Sequence, residues 1–391
     1  MKGTTQKAEI YHAKTLKGLE PWLASELIEL GAEKVTAVNR GVNFSGGRAM
    51  LYKVNVASRL ALRVLMPLST FLVTDEKALY RNVQKINWSD YMDNKMSFAV
   101  DAVVFSNLFR NSHFVSLKVK DAIADQFRDR TGLRPSVNTK DPDLLVNIHI
   151  SEQRATLSLD SSGESLHKRG YRSRNFEAPL NEVLAAGMVM ISGWKGETPF
   201  IDPMCGSGTI AIEAALIASG IPPGIFRKAY GFEKWKDFDP ALMRGLVERL
   251  PRERAVTVPI IASDISMEAV RATREHARRA GIEDLIRIEK RDFISYEPWD
   301  RPVTLIMNPP YGERMNPGDL AITYQMIGAT LKHKFPGSEA WILSSNRMAI
   351  KQIGLKHSDR KILFNGPIEC QYLNYRTFPG TLKEHKQNIN Q

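Results

Sequence analysis

The chain has 391 residues, too many for one average domain, so two or three are expected; 43% hydrophobic and 25% charged residues suit a globular core. A formal net charge of +11, with 26 Lys/Arg against 19 Asp/Glu in residues 1–178, favours a polyanionic partner. Two cysteines, Cys205 and Cys370, exclude a disulfide scaffold or a Cys-rich zinc site. A polar start without an apolar signal core, and no apolar run able to span a bilayer, then predict a cytoplasmic setting.

In chain order, 9–14 reads as a strand. Residues 19–30 read as a helix, with Leu19, Leu23, Leu27 and Leu30 at helical spacing and Gly31 as its terminator. Strands at 34–38 and 41–44, a helix at 48–56, a strand at 62–71 and a helix at 77–85 follow. Residues 97–104 alternate as a half-buried strand. Val119, Ile123 and Phe127 mark one side of a helix at 116–130 that stops at Gly132, and 143–150 with 154–159 form a hairpin. The polar, basic stretch 160–174 (DSSGESLHKRGYRSR) reads as a linker between domains. From about residue 178, helices at 180–191, 209–218, 267–280 and 320–334 alternate with strands at 200–202, 259–263, 286–290, 303–307 and 340–344. Two more strands fill 362–377, and 383–391 is a polar tail. That alternation predicts an α/β, doubly wound, mostly parallel sheet with its ligand at the carboxyl ends of the strands.

The segment 200–211 (FIDPMCGSGTIA) is strand, tight turn, helix. Gly206 and Gly208 let the backbone bend sharply and approach a ligand, and the N–H groups opening the next helix face it. The same spacing also fits a dinucleotide loop. Three carboxylates favour a cationic nucleoside ligand over a pyrophosphate: Asp202 before the loop, Asp264 placed for ribose hydroxyls, and Asp292 placed for an adenine amine. The alternative for each is a turn or helix-cap aspartate. Asp264 lies 56 residues beyond Gly208, so 221–258 must be an insertion; its basic and aromatic content (Phe226, Arg227, Lys228, Tyr230, Phe232, Lys234, Trp235, Lys236) suits either a surface decoration or a lip over the substrate entrance.

Residues 305–314 read LIMNPPYGER. An exocyclic base amine is a poor nucleophile because its lone pair is delocalised into the ring. Two acceptors opposite its N–H bonds, the Asn308 side-chain oxygen and the Pro309 carbonyl, would pull it toward tetrahedral geometry. Pro310 stiffens the turn so that these acceptors need little reorganisation. Tyr311 can stack on the base, and holding both reactants in line supplies much of the rate. A cytosine-C5 mechanism would need a cysteine in this loop, and Cys205 lies elsewhere.

With these residues in place the chain resembles the THUMP-domain guanine-N2 RNA methyltransferases, most closely the RlmL-type 23S rRNA enzymes, over nearly its whole length. DPMCGSGT at 202–209 resembles motif I, Asp264 and Asp292 the motif II and III acids, and NPPY at 308–311 motif IV. SGESLHKRGYR at 162–172, APLNEVL at 178–184 and GFEKW at 231–235 resemble this family more specifically.

The resemblance implies a ferredoxin-like region at 1–65, a THUMP RNA-binding domain at 66–160, a linker at 161–178, a seven-stranded Rossmann-like class I methyltransferase domain at 179–382 and a disordered tail at 383–391. It implies S-adenosyl-L-methionine as cofactor, held by Asp202, Met204, Cys205, Gly206, Ser207, Gly208, Thr209, Asp264, Ile265, Asp292, Phe293 and Asn308, with Pro179, Leu180 and Asn181 closing the pocket. It also implies one catalytic domain, without the second activity of the fused enzymes.

Arg110, His113, Lys118, Lys120, Lys168, Arg169 and Arg172 are candidate RNA contacts that would position the RNA by its phosphates. The expected partner is 23S rRNA or a pre-ribosomal particle. No metal is expected, since His113 and His167 lack ligand-like neighbours. Rival readings are a tRNA guanine-N2 enzyme, an adenine-N6 enzyme, an inactive RNA-binding assembly factor and a nicotinamide-dependent oxidoreductase.

Overall fold

The computed structural model describes residues 9–172, 180–250, 254–311 and 316–378. They form two compact units, and the chain contributes to each in more than one stretch. No described helix is long and apolar enough to cross a membrane.

The first unit holds β1 (Glu9–Lys14), most of α1 (Glu20–Glu29), β2 (Glu33–Val38), β3 (Gly41–Gly46), α2 (Arg48–Ala57), β4 (Arg63–Leu72), α3 (Glu76–Gln84), β5 (Ser97–Phe105), α4 (Ser112–Thr131), β6 (Ser136–Val137), β7 (Leu144–Ser151) and β8 (Arg154–Asp160). Its eight strands make one sheet in the order β2-β3-β1-β4-β8-β7-β5-β6. Alternation decides which face is core: Tyr11 and Ala13, Leu144, Val146, Ile148 and Ile150, and Ala155, Leu157 and Leu159 are all buried. Helix α4 starts four residues before the expected 116 because Asn111 caps it, accepting from the Phe114 amide at 3.2 Å, and it ends at left-handed Gly132 as expected.

The boundary expected at residues 65 and 66 falls inside β4, which pairs with β1 at its start and with β8 along its length. The expected linker also begins as packed structure. Ser161 and Ser162 are buried, and Ser162 donates to Asn55 Oδ1 at 2.7 Å. The surface-decoration reading of the insertion gives way for the same reason, because Arg227–Leu250 belongs to this first unit. Phe232 is fully buried and stacks on Tyr52 at 4.3 Å and on Tyr230 at 5.2 Å. Asp239, which caps α7 (Pro240–Arg249), donates its amide to the Tyr52 hydroxyl at 3.1 Å.

The second unit takes Leu16–Trp22, His167–Phe226 and the chain after α7. It contains α5 (Glu182–Ser192), β9 (Phe200–Asp202), α6 (Thr209–Ala218), β10 (Ile260–Asp264), α8 (Met267–Arg279), β11 (Ile286–Lys290), β12 (Thr304–Met307), α9 (Pro317–Lys334), β13 (Glu339–Ser344), α10 (Arg347–Gln352), β14 (Asp359–Asn365) and β15 (Ile368–Arg376). The seven-stranded order is β11-β10-β9-β12-β13-β15-β14, parallel through β13 with an antiparallel terminal pair. Chain order reverses between β9 and β12, which opens a crevice at their carboxyl ends. Ile201, Leu305, Met307, Ile342 and Leu373 pack beneath it with Tyr324 and Phe335.

If the insertion is core to the first unit, Phe232→Ala should lower stability by about 3–5 kcal/mol, the usual loss for a buried aromatic. Denaturant unfolding of the full chain followed by circular dichroism measures it. An unchanged midpoint would return the insertion to the surface.

Candidate active site

The glycine loop is set by backbone geometry. Gly206 and Gly208 have φ of +52° and +82°, and a β-carbon on Gly208 would lie 2.5 Å from Thr273 Cγ2. Helix α8 holds the loop from one side: Thr273 Oγ1 donates to the Gly206 carbonyl at 2.9 Å, and His276 Nδ1 lies 3.0 Å from the Ser207 carbonyl. The Cys205 amide donates to Ser263 O at 3.0 Å, while its thiol is buried and held well above its usual pKa by burial. Ser207 and Thr209 are buried and Met204 packs on the core. Sequence reading passed over Thr273 and His276. Their i, i+3 spacing on one face of α8 was the available signal.

The three predicted acids behave differently. Asp264 accepts from the Gly206 amide and from the Ser266 amide, both at 2.9 Å. Asp292, after β11, accepts from Ile294 N at 3.2 Å. Asp202 is 0% exposed, and neither carboxylate oxygen makes a full hydrogen bond among the described residues. Burial, reinforced by Asp264, pushes its pKa well up, with partial relief from the Ala211 and Met204 amides. An uncompensated buried carboxyl beside a loop of open backbone suits a cationic ligand.

Ile265 is 66% exposed at the rim, whereas Phe293 is turned into the core, stacked with Phe335 at 5.7 Å. Asn181 caps α5 by accepting from Val183 N and Leu184 N, Leu180 is buried, and Pro179 lies outside the described residues.

The basic stretch before α5 also departs from expectation. Arg169 is 1% exposed, with Nε 3.5 Å from Glu213 on α6, and Tyr171 donates to the same carboxylate at 3.1 Å. Arg172 donates to Thr209 Oγ1 at 2.6 Å and to the Leu180 carbonyl, with Nε 3.2 Å from Glu182. A buried guanidinium cannot meet RNA phosphates, so Arg169 is withdrawn from the RNA contacts; Arg172 is committed to joining the starts of α5 and α6. Lys168, Arg110 and His113 are exposed, Lys118 lies 3.7 Å from Glu76, and Lys120 lies 2.8 Å from Asp121.

At the end of β12, Asn308 Oδ1 is buried and has no hydrogen-bond partner among the described residues. The register Leu305↔Ile201 carries Asn308 past the end of β9, alongside the glycine loop. Pro309 is buried, Pro310 exposed and Tyr311 half-buried. Among the described residues no group of three His, Cys, Asp or Glu could hold a metal ion.

Residues 169–374 match the family described as RMKL-like, methyltransferase domain; 73–160 match the THUMP domain and 11–65 the RlmL ferredoxin-like domain. An inferred RNA methyltransferase of Synechocystis sp., slr0064, is 39% identical over 371 residues, covering 94% of this chain and 97% of that protein. The ribosomal RNA large subunit methyltransferase K/L of Psychromonas ingrahamii is 40% identical over 377 residues, covering 94% of this chain and 50% of its own. The chain thus spans about half the length of such K/L relatives. Among solved structures, SMU.472, an inferred methyltransferase complexed with SAH, superposes with a TM-score of 0.86 at 26% identity, covering 96% of this chain and 100% of that one.

Two outcomes test the pocket. Gly208→Ala forces a β-carbon into both a left-handed conformation and Thr273, and should cost on the order of 1–3 kcal/mol, read as a lower melting temperature. The second concerns Glu182, whose pKa burial pushes up to about 7 against the opposing pull of Arg172. A carboxyl raised on folding contributes most stability while protonated in both states, and loses it as pH rises from the usual carboxylate range through about 7. Glu182→Gln should flatten that decline, as melting temperatures of both proteins between about pH 5 and 8 would show.

Proposed function

The chain belongs to the RMKL-like methyltransferase family, and from that premise we propose that it methylates the N2 amine of a guanine in 23S rRNA with S-adenosylmethionine. The observation that carries the reading is the unpartnered, buried Oδ1 of Asn308 beside the glycine loop. A buried carboxamide oxygen without a donor is costly, and an incoming amine N–H would satisfy it.

The cofactor supplies a methyl on a sulfonium. Asp202, buried without a counterion, favours that positive charge, and Asp264, which accepts from the Gly206 amide, binds the ribose. Asn308 Oδ1 and the Pro309 carbonyl accept hydrogen bonds from the two amine N–H groups, which frees the lone pair to form the N–C bond as the methyl's S–C bond breaks, one proton then leaving to solvent; Tyr311 stacks on the base after it leaves its own helix. No strong base is required, because the amine becomes acidic once it carries the methyl. Arg110, His113, Lys118, Lys120 and Lys168 contact phosphates and position the RNA without reading its sequence. Residues 66–160 serve as the docking part and 179–382 as the catalytic part. The substrate is 23S rRNA or a pre-ribosomal particle in the cytoplasm.

Incubating the protein with labelled cofactor and deproteinised rRNA, followed by nucleoside analysis, should yield N2-methylguanosine. Label in N6-methyladenosine overturns the base assignment, and label confined to tRNA overturns the RNA assignment. Asn308→Ala should lower turnover by about 10²–10³-fold, the usual loss for one preorganised hydrogen-bonding group at a reacting centre, while the protein still retains the cofactor.

A further inference from the structure

The last aromatic of the NPPY loop is held by a segment remote in sequence. Asn365 Nδ2, at the end of β14, donates to the Tyr311 hydroxyl at 2.9 Å, and Cys370 Sγ on β15 lies 3.9 Å from the same oxygen. The antiparallel register of β14 and β15 places both groups near the hairpin end, with Leu363 opposite Cys370 and Asn365 opposite Ile368. Tyr324, fully buried on α9, fixes the peptide just before Tyr311: its hydroxyl donates to Ser344 Oγ at 2.7 Å and lies 3.4 Å from the Pro310 carbonyl. The loop is therefore gripped at two neighbouring residues by the carboxyl-terminal part of the sheet and by α9.

A stacking ring is effective only if its direction is set before the base arrives. Packing about a half-buried phenol leaves that direction soft, and a hydrogen bond at the far end removes the softness. The hydroxyl lies on the axis of ring flipping, so this bond fixes where the ring points without hindering the flip. It also satisfies a buried polar atom that would otherwise be costly. We infer that Asn365 is a positioning residue for the target base, acting through the Tyr311 hydroxyl, so that the β14–β15 hairpin sets the stacking surface of the site. This rests on the base-amine reading above.

The test uses the full chain and the same rRNA transfer assay, with kcat and KM for RNA determined separately and cofactor affinity measured by titration. Tyr311→Phe removes one oxygen and leaves the ring, so folding is preserved; Asn365→Ala removes the donor. Each should lower kcat/KM by on the order of tenfold, the effect of one net hydrogen bond, mostly in kcat. Cofactor affinity should stay within about twofold of the parent, which a general loss of structure would not allow.

Because both changes delete the same bond, the double variant should be no worse than the poorer single one. Multiplied losses in the double variant, or full activity of Tyr311→Phe, overturn the inference. Asn308→Ala in the same assay separates the two levels. If that variant keeps turnover, the base-amine reading itself fails; if it loses turnover while Tyr311→Phe stays fully active, only the positioning role of Asn365 falls.

Discussion

The parallel pairing of β9 with β12 is the contact on which the site depends. These strands are far apart in sequence and neighbours in the sheet, and one hydrogen-bonded register delivers the glycine loop and Asn308 to the same edge. Each half alone is ambiguous: a glycine turn binds many nucleotides, and an Asn-Pro-Pro turn is a stiff strand end. Side by side, they bring a buried carboxyl, Asp202, and a buried carboxamide oxygen, Asn308 Oδ1, to one end of the sheet. Both groups are left incompletely satisfied by the protein itself, which is where a bound molecule gains most.

Charge is distributed with the same economy. Arg169 and Arg172, from the most basic stretch of the sequence, turn inward to Glu213, Glu182, Thr209 and Leu180. Arg172 braces the starts of α5 and α6, and Arg169 holds Glu213 one turn further along α6. A guanidinium with its fork of donors can satisfy a carboxylate, a hydroxyl and a carbonyl together, which a lysine ammonium does less well. The net positive charge of the chain is thus an imperfect guide to its outward-facing cations.

Most of the scaffold could be read in the sequence because its periodicity is strong. The apolar strands of the parallel sheet and the amphipathic α4 were found within a few residues, and their ends moved only where a cap such as Asn111 recruited an extra turn. The six-residue α10 and the two-residue β6 escaped, since a few residues carry little pattern, and α7 escaped because none of its ten residues is buried to mark a face. What failed had long-range causes. Arg169 looks solvated until Glu213 is placed beside it, and the aromatic insertion looks superficial until Tyr52 meets Phe232. Asn365 had no local signal at all, because its partner stands 54 positions away.

Strand β4 has a consequence for how such proteins are assembled. Two regions that match separate families, 11–65 and 73–160, share one sheet through it, and its ladder with β8 shifts register after Pro67, where a missing N–H is tolerated. They cannot pivot about one another as beads on a string do. Excising either at the seam would leave β1 or β8 with a bare row of amides and carbonyls, an invitation to pair with whatever strand drifts past.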